Sequence, residues 1–462
     1  MSDTKAWTPS LPGGDGTLHE RLIASLERDI ASGTLPAGTR LPPHRDLAHQ
    51  LGIGVGTVTK AYADAERRGL LTAHVGRGSF VADARQTAAH ESESGGRIDM
   101  ANNVPPLAAA EERIGETLMQ LRRRADVTKY VGYAPVGGYE THRNAIAAWI
   151  MRTTGFKSVT AENLILCAGA QDATALVAAH LCRPGDTILT EAATFFGMKN
   201  LAEYTGYRLQ GVAMDAEGLD PAALDRAAQK GAKVLYTIPT LQNPTGRTMS
   251  ERRRAEIARI ARARDLWIIE DDVYGGFSTD KLTPLAVLAP ERTFFISSLS
   301  KTLAPGLRAG FMVTPDSDHA ARVVRGIRAR TVTTSALGSL IATQWIEDGT
   351  ADDILGAIRA ETRARVHMAR DILGKHMPPN VSEYCSHIWL PMTEIEAERT
   401  AGRVATAGVD VTSPSSPVID STLIYGLRIC VGAVRNRATL ETGLRAIAAA
   451  LSGSSESGSG VV

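Results

Sequence analysis

Ser298-Leu299-Ser300-Lys301-Thr302-Leu303-Ala304-Pro305-Gly306-Leu307-Arg308-Ala309-Gly310 places an amine, the hydroxyls of Ser298 and Ser300, a guanidinium and a Pro-Gly turn directly after the apolar run Phe294-Phe295-Ile296. A lysine at the end of a buried strand loses solvation, which disfavours its ammonium and frees an amine for imine formation. Ser298 and Ser300 can donate to phosphate oxygens, and Arg308 can give the same dianion a fork of charge-assisted hydrogen bonds. Such a set suits a phosphorylated aldehyde, pyridoxal 5'-phosphate (PLP), held as a Schiff base. An ordinary strand-to-loop junction with a surface lysine would carry the same residues.

The stretch resembles the S-x-S-K-x-x-x-P-G-L-R-x-G signature of fold type I aminotransferases at every defined position. That resemblance implies an α/β fold with a mainly parallel sheet in a large domain, plus a small domain. The surrounding chain has the matching rhythm. From about Asp99 to Leu451, apolar strands alternate with helical patterns, the strands expected at 163–167, 186–190, 233–238, 266–270, 292–297 and 310–314. Alternation of this kind predicts a covered, mainly parallel sheet.

Other segments fit the same chemistry. Leu164-Ile-Leu-Cys-Ala-Gly169-Ala170-Gln171 runs from a strand through glycine into a helix, so free N–H groups and the helix dipole can face an anion. A plain strand-to-helix turn would look similar. The resemblance implies that Ala170 and Gln171 contact the phosphate. It implies that Asn243, in Asn243-Pro244-Thr245-Gly246, and Tyr274 meet the phenolic oxygen of PLP, and that Asp271 keeps the pyridine nitrogen protonated. Phe195 falls where an aromatic stacks on the ring, and Tyr133 where a tyrosine reaches the phosphate of the neighbouring subunit, implying a homodimer with shared sites. Arg428, in Leu427-Arg428-Ile-Cys-Val-Gly432, falls on the arginine that clamps a substrate carboxylate. Surface turns, core aromatics and strand-borne surface arginines are the plainer readings of these positions.

Upstream lies a different module, residues 17–83. Thr17-Leu-His-Glu20 reads as a capping box, with Leu18, Leu22, Leu26 and Ile30 at helical spacing. A second helix carries Leu47 and Leu51 inward, Gly52-Ile53-Gly54 makes a turn, and a third carries Val58, Tyr62 and Ala65. Leu70-Leu71 and Ser79-Phe80-Val81 flank Gly76-Arg77-Gly78 as a hairpin. Three helices and a hairpin describe a winged helix-turn-helix. The module resembles the GntR-type DNA-binding domain, which implies contacts to DNA from Arg40, Arg45 and Arg77. At the recognition helix the chain departs from the family, with Gly54 and Val55 where serine and arginine are usual. Gly56 weakens that helix by roughly 1 kcal/mol relative to alanine, so contacts are expected only from Thr57, Thr59 and Lys60. Between Arg40 and Arg77, six basic residues face three acidic ones, a surplus that a solvated face would also show. Gly52-Ile-Gly54-Val-Gly56 follows a helix rather than a strand, which removes a nucleotide-loop reading.

Charge is nearly balanced over 462 residues, with 51 basic against 50 acidic side chains, so an extended nucleic-acid coat or polybasic anchor is not expected. Cys167, Cys182, Cys385 and Cys430 lack C-x-x-C spacing, pointing to neither zinc nor disulfides and to a reducing cytoplasm. No targeting segment or membrane span is expected. Disorder is expected at 1–16 and 452–462, a flexible linker at 84–98, and the aminotransferase-like domain at 99–451. Together the modules resemble the MocR group of bacterial regulators. What this implies is a PLP-dependent transcription factor that binds double-stranded DNA at an operator and senses an amino-bearing effector by aldimine exchange at Lys301. The alternative is a working aminotransferase carrying a DNA-binding head, since Lys301, once freed, could move a Cα proton.

Overall fold

Two units make up the chain, dividing between Gly96 and Arg97. The computed structural model describes residues 7–10, 17–32, 34–36, 38–67, 70–74, 78–81 and 96–453. In the first unit, Thr17 Oγ1 accepts from the Glu20 N–H (3.3 Å) and Glu20 Oε2 accepts from the Thr17 N–H (2.9 Å), which closes the capping box of helix Leu18–Ala31. Helices His44–Leu51 and Val55–Arg67 follow, the former ended by Gly52 at φ 64°, and a hairpin pairs Leu71–His74 with Gly78–Val81.

Leu22, Ile23, Leu26, Leu47, Val58, Tyr62, Leu71 and Val81 close the core of this unit. Leu18, expected inward, is 42% exposed, and Ile30 is only partly covered. Four residues advance a helix by about 40° more than one turn, so a run of i+4 steps swings its two ends away from the face its middle buries. A second difference lies in the segment 1–16, expected to be disordered. Trp7 is buried in that core, its indole N–H donating to Asp29 Oδ2 (2.9 Å), and the Ser10 carbonyl accepts from Ser25 Oγ and Arg28 Nη2 (3.1 Å each). One large ring with one satisfiable donor suffices to dock residues 7–10. The remainder of 1–16, residues 84–95 of the linker and 454–462 of the tail lie outside the described residues.

The second unit begins earlier than expected: Ile98–Met100 pairs in parallel with Val409–Val411, and Arg97 bridges to Asp410. Its main sheet has seven strands in the order Leu164–Cys167, Gly310–Val313, Thr293–Ser298, Trp267–Asp271, Val234–Thr237, Thr187–Glu191, Arg208–Val212. Only Gly310–Val313 runs antiparallel to its neighbours. All six expected strands are present. The seventh, Arg208–Val212, was not anticipated: it is an edge strand, half-exposed, and its Arg208 and Gln210 break the apolar run that marks a covered one.

A smaller lobe is built from the 24-residue helix Thr350–Leu373, the antiparallel pair His387–Pro391 and Gly426–Cys430, and helices Glu394–Thr406 and Arg437–Ser452. Met100, Val366, Ile388, Leu427, Leu444 and Ile447 form its separate core. Among the described residues no helix is long and apolar enough to cross a membrane.

Close approach is what glycine serves in the sheet. A Cβ at Gly310 would stand 2.3 Å from the Gly169 carbonyl carbon, whereas at Gly306 nothing lies within 4 Å. Gly310→Ala should therefore lower stability by at least about 1–3 kcal/mol, and Gly306→Ala should stay within about 0.5 kcal/mol of the parent; urea-unfolding midpoints of the two variants measure the contrast.

Candidate functional site

Parallel strands collect their carboxyl ends at one edge, and there the chain departs into loops that carry the polar groups. Strand Thr293–Ser298 leads to Lys301, and its neighbour Trp267–Asp271 ends on Asp271, with Asp271 in register with Ile296. Lys301 Nζ donates to the backbone carbonyl of Asn103. Burial pulls the Lys301 ammonium down to about 8, assisted by the nearby Arg428 cation and opposed by Asp271. Asp271 Oδ2 accepts from the Tyr236 hydroxyl at 2.6 Å, while Oδ1 is buried and no described residue donates a well-formed hydrogen bond to it. Burial pushes this carboxyl up to about 6, against the pull of the Tyr236 hydroxyl, the Val273 N–H and Lys301.

Around these two groups the site closes. Arg428 is 2% exposed and donates to three neutral oxygens: Asn243 Oδ1 (2.8 Å), the Ala101 carbonyl (2.9 Å) and Thr412 Oγ1 (3.0 Å). Its guanidinium carbon also stands 5.9 Å from the centroid of the Phe196 ring. Phe195 packs against Phe196 with ring centroids 4.9 Å apart. Tyr274 is buried, and its hydroxyl accepts from Asn103 Nδ2 at 2.8 Å.

A helix start and a second guanidinium meet at Gly169. Helix Ala170–Leu181 starts after Gly169, which sits at φ 111°, a conformation L side chains rarely adopt. Arg308 donates to the Ala168 carbonyl at 2.8 Å from a left-handed backbone position, φ 49°. A Cβ on Gly169 would lie 2.5 Å from the Arg308 guanidinium, so guanidinium and helix N-terminus are in direct contact. Gln171 Nε2 donates to the Gly197 carbonyl (2.8 Å), which ties the helix start to the Phe195 loop. Ser298 is buried and Ser300 half-buried, the Ser300 N–H donating to Ser298 Oγ at 3.4 Å. Tyr133 is the outlier: it is 85% exposed on a surface loop.

Sequence reasoning missed the hub of this arrangement. Asn103 donates through Nδ2 to the Tyr274 hydroxyl and to His387 Nδ1 (3.0 Å), and its Oδ1 accepts from Ser386 Oγ (2.8 Å). His387 Nε2 faces the Gln242 carbonyl at 3.1 Å, so the ring proton is assigned to Nε2 and Nδ1 accepts. Burial, with the Gln242 bond opposing and the Arg428 and Lys301 cations adding, drives its pKa down to about 3 and keeps the ring neutral. Asn103 lies in Asn102-Asn103-Val104-Pro105-Pro106, which reads only as a turn, and nothing local links it to a lysine 198 residues away.

In the first unit, Arg40, Arg45, Thr59 and Lys60 are exposed and Thr57 is half-exposed. Thr59 Oγ1 shares a hydrogen bond with His44 Nδ1 (3.1 Å), and the Arg40 side chain lies along Gly78 of the wing. Arg77 lies outside the described residues.

Residues 96–447 match the aminotransferase class I and II family, and residues 18–81 match the gntR family of bacterial regulatory proteins. The uncharacterized HTH-type transcriptional regulator YdeF of Bacillus subtilis is 30% identical over 448 residues, spanning 95% of this chain and 95% of its own. The vitamin B6 salvage pathway transcriptional repressor PtsJ of Salmonella typhimurium is 30% identical over 320 residues, 67% of this chain and 70% of its own. A solved structure of Pyrococcus horikoshii kynurenine aminotransferase aligns with a TM-score of 0.71 at 22% identity, covering 81% of this chain and 95% of that one, a likeness of fold. With a GntR-type helix-turn-helix followed by an aminotransferase-like domain, the chain belongs to the MocR-type family of DNA-binding transcriptional regulators.

Proposed function

We propose that this regulator holds PLP at Lys301 and senses an amino-bearing effector there, acting as a cytoplasmic homodimer on an operator. The observation that carries the reading is Asp271 Oδ1, a buried acceptor with no hydrogen-bond donor among the described residues, on the strand beside the one that leads to Lys301. A protonated pyridine nitrogen is the donor such an oxygen lacks. When bound, PLP supplies an aldehyde that bonds amines reversibly and a ring that draws electrons.

The roles of the residues follow from their positions. Asp271 would retain the proton of the pyridine nitrogen, Asn243 and Tyr274 would meet the phenolic oxygen, and Phe195 would cover a ring face. Ala170, Gln171, Ser298, Ser300 and Arg308 would hold the phosphate, joined by Tyr133 from a second copy of the chain. Arg428, answered only by neutral oxygens, would take the effector's carboxylate. Lys301 would offer a neutral amine and yield its place to the effector's amine. Arg40, Arg45, Thr57, Thr59, Lys60 and Arg77 would contact DNA. An effector can move DNA affinity only through unequal affinity for two arrangements of the protein, about 1.4 kcal/mol for each tenfold shift.

Two measurements check this. Because burial sets the Lys301 ammonium near 8, only its neutral form attacks an aldehyde, and protonation below that value removes the nucleophile. Uptake of PLP by cofactor-free protein, followed by absorbance, should accelerate as pH rises through about 8 and then level, and Lys301→Arg should show no covalent uptake. Fluorescence anisotropy at fixed salt should show the PLP-loaded protein preferring DNA upstream of its own gene over a scrambled duplex by at least about a thousandfold. A candidate amine should shift that affinity in the wild type and not in Lys301→Ala. Equal binding to both duplexes, together with sustained conversion of an amino acid and a keto acid, would favour a working aminotransferase instead.

A further inference from the structure

Arg247 stands four residues after Asn243, on a loop that turns at Gly246 (φ 70°). Its guanidinium is half-buried, yet among the described residues it makes no ion pair and no hydrogen bond. Burial therefore lowers its pKa, and the one carboxylate that opposes this, Asp215, has both oxygens taken by Arg253 at 2.9 and 2.7 Å. Arg247 lines a cavity of about 590 Å³ bounded by Thr245–Thr248, by 278–280 and by 378–384. Trp389 lines the same cavity; it is 3% exposed, and its indole N–H is buried with no acceptor among the described residues. The Arg247 guanidinium thus stands on the cavity wall with no protein acceptor among the described residues, and the Trp389 ring forms part of that wall.

Acceptors and shape narrow the ligand. Leu241, Val381 and Pro378 supply apolar wall, while Asp280 and Glu383 place negative charge in the lining. Glu383 stays ionised, held below the usual carboxylate range by Tyr384 and by His367, whose Nε2 lies 3.3 Å from it. With one cation and two carboxylates in the lining, a dianion is repelled about twice as strongly as a monoanion, so a single carboxylate reaching Arg247 is the less disfavoured anion. None of the lining residues belongs to the set around Lys301, but the two sites share a backbone: Trp389 pairs with Arg428 across the two-stranded sheet, and Arg247 follows the loop of Asn243.

We propose that this cavity is a second small-molecule site, which takes a monocarboxylate with an apolar body, its carboxylate on Arg247 and its body against Leu241, Val381 and Trp389. The site is independent of the chemistry assigned to Lys301. Phenylacetate is a suitable probe, because it has no amine to exchange at Lys301. Titrated by calorimetry into the full-length, PLP-loaded protein, it should bind saturably, and Arg247→Met should weaken binding at least tenfold, about 1.4 kcal/mol. Arg247→Lys, which keeps the charge, should retain part of the affinity and guards against a folding defect in the methionine variant. Inorganic phosphate in tenfold excess should not displace the probe. Unchanged affinity in Arg247→Met, absence of binding at about 10 mM probe, or displacement by phosphate would each overturn the proposal.

Discussion

Arg428 is a cation buried with no carboxylate among the described residues to pair it, and much of the second unit is arranged to make that tolerable. Removing an ion from water costs several kcal/mol even after relaxation, and the cost is met only by well-aimed partners. Here the partners come from four places in the chain: the Asn243 side chain, the Ala101 carbonyl, the Thr412 hydroxyl and the face of Phe196. One guanidinium therefore clamps the small-lobe strand Gly426–Cys430 to the loop after the large-lobe strand Val234–Thr237 and to the chain entering from Ile98–Met100. Neutral oxygens leave its charge uncompensated, so an incoming anion gains more here than at a surface arginine.

The opposite charge is handled at the end of strand Trp267–Asp271. Side chains alternate along a strand, so Glu270 and Asp272 share one side and Asp271 takes the other. Glu270 accepts from the Leu285 and Ala286 N–H groups (2.9 and 2.8 Å), and the buried Arg254 lies 3.9 Å away. Even so, burial raises Glu270 to about 7 and Asp272 to about 6. Asp271 faces Tyr236 and Lys301 instead. Two of the acids thus belong to the scaffold, and the third belongs to the site.

The sequence carried much of this in readable form because local rules generated it. Covered strands carry apolar runs, and six of the seven in the main sheet do. The lysine stretch and the Asn-Pro-Thr-Gly turn are contiguous words with their own spacing. Arg208–Val212 escaped because an edge strand is free to be polar, and Leu18 misled because i+4 spacing drifts around a helix. Trp7 lies in a segment expected to be disordered, yet one buried ring outweighs its neighbours in apolar area.

The linear chain, through periodicity and short motifs, accounts for the two-module plan, the covered sheet, and the amine, amide and carboxylate at its edge. Folding alone brought Asn103 to Lys301, set His387 as the neutral acceptor between Asn103 and Gln242, left Asp271 Oδ1 without a donor among the described residues, and placed Arg247 and Trp389 on the wall of one cavity. The reason is physical. Hydrophobic period and turn chemistry act over a few residues, whereas desolvation and hydrogen-bond satisfaction depend on which distant segments meet, and no spacing along the chain encodes that meeting.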